Sequence, residues 1–303
     1  MNVLLSVLQQ IAYNKKALYL YLFFTIITSL LIASFPLITL FYVRYLFNNS
    51  VTLLIIFTSA FLLIFIAKIW IDSHVAKFEN KLLIKLSGNI QEKLIRSEIP
   101  LSFAKRYTQF ITQIKLYTLF VQVVILANLK QLLICTFTIL ILLFYNINLF
   151  WYTLFFVPIY GIYVFVTLKT FKKNSAAIAK LKKHTNTQLA ILLAQPDFAI
   201  SDYLKFKNIH TEKELLNKNS LVFLNQTILN MITIFRILFL GYFGYFIITN
   251  QMSLEGLIIG LLLITIILRS ITRMLQSIIP YLISIDAVRN ISQKIYKEGT
   301  MSQ

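Results

Sequence analysis

Six long runs of apolar residues dominate the chain, separated by short polar breaks and by two long charged ones. The runs extend from about Ala17 to Leu40, Val51 to Ile71, Val124 to Phe144, Phe150 to Leu168, Leu229 to Ile248 and Leu257 to Ile271. About 20 consecutive apolar residues make a helix that crosses the roughly 30 Å hydrocarbon of a bilayer. Six transmembrane helices are therefore expected. Pro36 and Pro158 interrupt the first and fourth runs, which membrane helices tolerate. Trp70 and Trp151 fall near run ends, where aromatic side chains sit at the membrane–water interface. The first run is too long for the apolar part of a cleaved signal peptide, and no small-residue cleavage site follows it. It reads as a retained span.

The breaks differ sharply in length. Runs two and three are separated by over 40 residues and runs four and five by over 50, whereas the other breaks hold about 5–10. Neither long segment reads as coil. Phe78, Leu82, Leu86, Ile90 and Leu94 recur every four residues, with Lys77, Lys81, Lys85 and Lys93 on other faces. That spacing predicts an amphipathic helix continuing straight on from run two. From Val51 to Arg96 such a helix would be about 69 Å long, more than twice the hydrocarbon thickness. Lys169 to Ala194 prolongs run four in the same way. A separate folded domain in either segment would need a core that so few residues cannot build. Before run one, Val3, Leu4, Val7, Leu8 and Ile11 make a short amphipathic stretch ending at Lys15 and Lys16, expected to lie on the inner membrane surface.

Composition supports a membrane class: 303 residues, 58% hydrophobic and 13% charged, against roughly 25% charged for a soluble domain. The net charge of +18 raises nucleic-acid binding as a competing explanation. Position removes it. Residues 1–16, 72–115, 169–220 and 289–303 hold 23 of the 29 Lys and Arg, while the three short intervening breaks hold only Arg44. This is the positive-inside bias of a polytopic protein, and it puts both termini and both long segments in the cytoplasm. Cys135 is the only cysteine and lies in an apolar run, so neither a disulfide framework nor metal-ligand spacing is present.

The layout resembles the transmembrane domain of an ATP-binding cassette exporter of the type I class (type IV fold). Lys85 to Lys115, with its Pro100-Leu101-Ser102-Phe103 step, is similar to the family's first intracellular region. Leu254-Glu255-Gly256 is similar to the hairpin between the fifth and sixth spans, and Ser284-Ile285-Asp286-Ala287-Val288-Arg289 to the end of span six. The resemblance covers nearly the whole chain and implies an all-α membrane protein: an elbow helix at residues 1–16, a six-span domain at 17–288 with long cytoplasmic extensions, and a cytoplasmic tail at 289–303. Family members commonly continue into an ATPase domain. Here the seven glycines stand at 88, 161, 241, 244, 256, 260 and 299, and none opens the G-x-x-x-x-G-K-[ST] loop that wraps phosphates in backbone N–H groups. Leu86-Ser87-Gly88-Asn89-Ile90-Gln91 looks like the cassette signature but sits inside the extension of span two. The chain is therefore expected to be no enzyme by itself and to bind no cofactor. ATP and Mg belong on a separate ATPase subunit.

The resemblance also implies where that partner docks. Each cytoplasmic hairpin should end in a transverse coupling helix, the first near Ser102–Tyr107 and the second near Ser201–Ile209. Phe103, Tyr107, Tyr203, Leu204 and Phe206 are large apolar groups flanked by Lys105, Arg106, Asp202, Lys205 and Lys207. Apolar and aromatic anchors within a polar rim are what interface hot spots look like. Ordinary packing of tip residues on neighbouring helices is the alternative.

Five basic residues remain within or beside the runs: Lys68, Lys130, Arg236, Arg269 and Arg273. Lys68 and Lys130 read as side chains snorkelling to inner-leaflet phosphates. Arg236 follows Gln226, Asn230 and Thr233 at helical spacing, and Arg269, Arg273 and Gln276 form a second polar stripe. Such stripes usually face protein or a water-filled cavity. They are expected to line a cationic vestibule for an anionic or amphipathic substrate. Gly256 and Gly260 form a G-x-x-x-G, for which a turn role of Gly256 suffices. His74, His184 and His210 read as surface histidines, and Asp197 and Asp202 as helix caps or lysine partners.

The expected function is the translocation path of an exporter, as a homodimer or paired with a related chain, with separate ATPase subunits and membrane lipids as its partners and no nucleic acid. The expected location is a bacterial inner membrane, by analogy with split transporters. Two alternatives stay open: a scaffold or regulatory subunit that kept the fold and lost its ATPase, and a truncated half-transporter.

Overall fold

Leu82, Leu86 and Ile90 share one face of a single helix, α3 (Val51–Ser97), whose 47 residues give a rod of about 70 Å. No proline interrupts it, and Pro100 lies just past its last residue. The computed structural model describes residues 3–12, 14–46, 51–97, 103–155, 157–163, 165–166, 226, 229–230, 232–249 and 253–301, nearly all of them helical. The other helices are α1 (Val3–Ala12), α2 (Lys15–Leu46), α4 (Phe103–Leu119), α5 (Asn128–Tyr145), α6 (Ile147–Tyr163), α7 (Ile232–Ile248), α8 (Leu254–Gln276) and α9 (Ile278–Met301). A π-helical stretch, Phe120–Ala127, joins α4 to α5 without breaking the rod.

Four helical stretches are long and apolar enough to cross a membrane: Lys15–Phe41, Thr58–Glu92, Ile111–Tyr145 and Leu254–Gln276. They overlap the first, second, third and sixth apolar runs, the second extending to Glu92 and the third beginning at Ile111. The fourth and fifth runs correspond to the shorter apolar helices α6 and α7. The chain divides into two units, residues 1–150 with 252–303, and residues 151–251.

In the first unit α2 packs along α3 and α5, and α5 along α8. Small residues are buried in these helices. Thr28, Ser29 and Ala33 of α2 are wholly buried, and Gly256 and Gly260 of α8 are buried. Between membrane helices, which gain nothing by leaving lipid tails for each other, close backbone approach at small residues supplies the attraction. Gly256 is thus not a turn residue. Ser253 caps α8 by accepting the Gly256 N–H at 3.1 Å, and Gly256 lies inside the first helical turn.

Past the apolar part of α3 the packing changes character. Leu82, Leu86 and Ile90 are at most 1% exposed, in a core with Val7 and Ile11 of α1, Ile114 and Tyr117 of α4, and Val288 and Ile291 of α9. Full burial of a Leu or Ile is worth roughly 1.5–3 kcal/mol. Such burial, rather than helix propensity, supplies most of the stability of packed helices. No single segment could build this core: α1, α3, α4 and α9 pool it with Tyr21 of α2 and with Phe120, Val121 and Leu126 of the π-helical stretch. Val7 and Ile11 of α1 are covered by protein while Leu8 stays 44% exposed, and Tyr117 fastens the helix by donating to Gln10 Oε1 at 3.0 Å. Residues 289–301 continue α9, which lies against α4.

The second unit is an antiparallel pair held by aromatic rings. Tyr152 of α6 meets Phe239 and Phe243 of α7 at ring separations of 5.4 and 5.2 Å, and Tyr160 meets Phe235 at 5.6 Å. Edge-to-face contacts of this kind add about 0.5–1.5 kcal/mol each beyond area burial.

Candidate functional site

Four of the eight residues in Phe120–Ala127 are β-branched: Val121, Val123, Val124 and Ile125. Branching at Cβ crowds the preceding helical turn and weakens α geometry locally. The backbone here adopts i→i+5 bonding, an arrangement concentrated at functional positions in helices. Side chains tie two of its carbonyls. The buried Tyr21 hydroxyl of α2 donates to the Leu126 oxygen at 3.0 Å, and the Asn128 amide donates to the Val124 oxygen at 3.0 Å.

A second irregularity lies between α8 and α9. Pro280 has no N–H to offer the Gln276 carbonyl, so the α pattern stops at Ser277 and restarts. The Ser277 N–H bonds the Arg273 carbonyl at 3.2 Å, and its hydroxyl donates to the Met274 oxygen at 2.6 Å. That same hydroxyl accepts from Asn128 Nδ2 at 2.7 Å. The end of the π-helical stretch and the α8–α9 break are therefore stitched directly to each other.

The third tie is ionic. Lys68 and Asp72, one turn apart on α3, meet at 2.7 Å, and Lys130 of α5 approaches the other Asp72 oxygen at 3.5 Å. All three side chains are about one-third exposed. Neither lysine is a lone snorkelling cation, because both converge on one carboxylate. Leu126, Asn128 and Lys130 span only about 6 Å of one rod. From that length it reaches α2, the α8–α9 junction and α3 in turn.

Beside this level Phe24 stacks on Phe78 at 5.7 Å and meets His74 and Trp70 at 5.4 and 6.2 Å. His74 is half-buried in this aromatic stack, and its Nδ1 lies 2.9 Å from the Trp70 carbonyl. It stays partly exposed, as a surface histidine would, while one side packs on these rings.

The residues singled out by sequence are distributed as follows. Phe103, Lys105, Arg106 and Tyr107 open α4. Ser102 and Asp202, Tyr203, Leu204, Lys205 and Phe206 lie outside the described residues. Asn230 and Thr233 are exposed in the second unit. Arg236, on the same helix, is half-buried, and its Nε has no hydrogen-bond partner among the described residues. Arg269 and Arg273 project from one face of α8, opposite the face that buries Leu263, Ile267 and Ile271, and Gln276 ends that helix half-buried. Asn128, Ser277, Tyr21 and Asp72 escaped the sequence reading. Only Lys68–Asp72 carried a local signal, the i,i+4 spacing of opposite charges.

These features define an all-α chain with membrane-type helices, compatible with an integral membrane protein. No protein-family model matches the sequence, and no curated protein matches it.

The Asn128–Ser277 tie has a measurable strength. Bonds between membrane helices average about 0.6 kcal/mol by double-mutant cycles. Asn128→Ala and Ser277→Ala are each expected to lower the unfolding midpoint, and the double variant is expected to fall short of their sum by that coupling. Strict additivity would mean that the two side chains do not interact.

Proposed function

We propose that the chain is the membrane-spanning subunit of an exporter-type ATP-binding cassette transporter. In this reading all six apolar helices cross the bilayer, both termini are cytoplasmic, and two such subunits enclose a translocation path. ATP and Mg are bound by separate ATPase subunits. One observation carries the proposal: α3 and the α4–α5 rod each run on far beyond a bilayer's thickness and pack against each other there. Helices of this stiffness serve as levers, because they transmit a displacement that coil would absorb.

Closure of two ATPase subunits would draw the hairpin tips together and rock the spans as rigid bodies, exposing the path to the other side. The residues that must yield are those where helical bonding is already irregular: Phe120–Ala127 and the Ser277–Pro280 break. The Asn128–Ser277 bond would make the two flex together. Arg269 and Arg273 would line the inward-facing vestibule and favour an anionic or amphipathic cargo.

The test is to tag the chain, solubilise it gently and identify what copurifies. A stoichiometric P-loop ATPase is the expected result. Recovery without any ATPase, under conditions that preserve other membrane complexes, would replace the transporter by a scaffold of the same fold. In the reconstituted complex, changing Arg269 and Arg273 together to Gln is expected to abolish stimulation of ATP hydrolysis by anionic amphiphiles. Unaltered stimulation would remove the cationic vestibule from the proposal.

A further inference from the structure

Lys68 and Lys130 reach one carboxylate from two different helices, and the Asp72 that joins them does not use them up. Each ammonium carries three N–H donors. Asp72 engages Lys68 closely at 2.7 Å and Lys130 only loosely at 3.5 Å. Two ammoniums against one carboxylate leave one positive charge in excess, and the side chains are 30%, 27% and 33% exposed, open to a ligand. On the flank of that face α3 presents Leu62, Phe65 and Ile69, each about half exposed. The apolar run of α3 ends at Ile71, and the lysine-bearing face begins at Lys77. The cluster therefore sits at the end of the apolar segment, with hydrocarbon-like surface on one side and charged surface on the other.

We propose that Lys68 and Lys130, held together by Asp72, seat the phosphodiester of an anionic phospholipid, with its acyl chains along Leu62 and Phe65. An excess of one positive charge selects a headgroup with a net negative charge over a zwitterionic one, whose own cation the two ammoniums repel. The carboxylate keeps two long side chains from dispersing into the interface, so less freedom is lost when the phosphate arrives. Basic positions between transmembrane helices on the cytoplasmic side bind anionic headgroups by this chemistry. The inference rests on the proposed orientation, with this end of α3 on the cytoplasmic side, and not on the ATPase.

The experiment compares unfolding midpoints of the full chain in nanodiscs of phosphatidylcholine alone and of phosphatidylcholine with phosphatidylglycerol. The anionic lipid is expected to raise the midpoint by about 2–4 °C. Lys68→Gln with Lys130→Gln should remove at least half of that increment, while Lys77→Gln with Lys81→Gln, the same change of charge elsewhere on α3, should leave most of it. Because the increment is read within each variant, a general loss of stability does not mimic the result. Equal losses in the two double variants would reduce the effect to overall electrostatic attraction and overturn the site. So would a full increment in the Lys68/Lys130 variant. Inorganic phosphate added to phosphatidylcholine discs should leave the midpoint unchanged; a shift equal to that of phosphatidylglycerol would make the ligand a soluble anion and overturn the lipid assignment. Copurification of an ATPase is scored separately, so either proposal can fail without the other.

Discussion

Leu86→Ala is expected to destabilise the helical core beyond the apolar spans by about 2–5 kcal/mol, the cost of deleting buried methyl groups from a site that cannot fully collapse. Leu86 is 1% exposed and lies in the cluster that joins α1, α3, α4 and α9. Its near neighbour Ile84 offers a control on the same helix, because it is 72% exposed. Ile84→Ala should cost no more than about 0.5 kcal/mol. Equilibrium unfolding in nanodiscs measures the difference. Amide hydrogen exchange locates it, with faster exchange expected around Ile114 and Tyr117 of α4 and Val288 and Ile291 of α9. Equal effects of the two substitutions would mean that Leu86 is not enclosed by those helices. On the proposed mechanism the consequence reaches function, because a lever whose neighbours are loose no longer passes on its displacement.

Changing Tyr107 and Tyr203 to Asp is expected to strip the ATPase from the complex. The proposal assigns both tyrosines to hairpin tips that dock on the soluble subunit. A buried aromatic anchor is worth about 2 kcal/mol or more when truncated, which is about 30-fold in affinity. A charge introduced without a partner adds a desolvation cost. The two positions lie on different hairpins, so their losses should add and reach about a thousandfold. Copurification should fall below detection while the chain remains inserted, with an unchanged unfolding midpoint. An ATPase retained at full stoichiometry would show that docking runs through other residues.

Much of the architecture was legible in sequence because it depends on local order. The apolar runs reflect solvent transfer of single side chains, and the four-residue recurrence of Leu82, Leu86 and Ile90 reflects the pitch of one helix. The prediction that α3 continues well past its span holds through Ser97. The same recurrence separates Leu86 from Ile84, two residues apart with opposite burial. What covers that stripe was not legible. α1 supplies Val7 and Ile11 and α9 supplies Val288 and Ile291, from opposite ends of the chain. An amphipathic helix shows that its apolar face needs a cover, but protein and membrane satisfy the same pattern. Hence the burial of Val7 and Ile11 of α1 on protein could not be read from the pattern.

The candidate site divides along the same line. Lys68 and Asp72 stand one helical turn apart, so their pairing is written in the chain, whereas Lys130 arrives from 58 positions further on. Asn128 and Ser277, separated by 149 positions, carry no mark that distinguishes them from other small polar residues in apolar helices. By itself the sequence determined the apolar helices, their extension beyond the spans and the asymmetry of charge, since hydrophobic transfer and helical pitch act between near neighbours. Only the tertiary structure decided which polar groups meet. In an apolar surrounding a donor is satisfied by whatever acceptor packing brings within about 3 Å, and packing is a property of helices placed side by side.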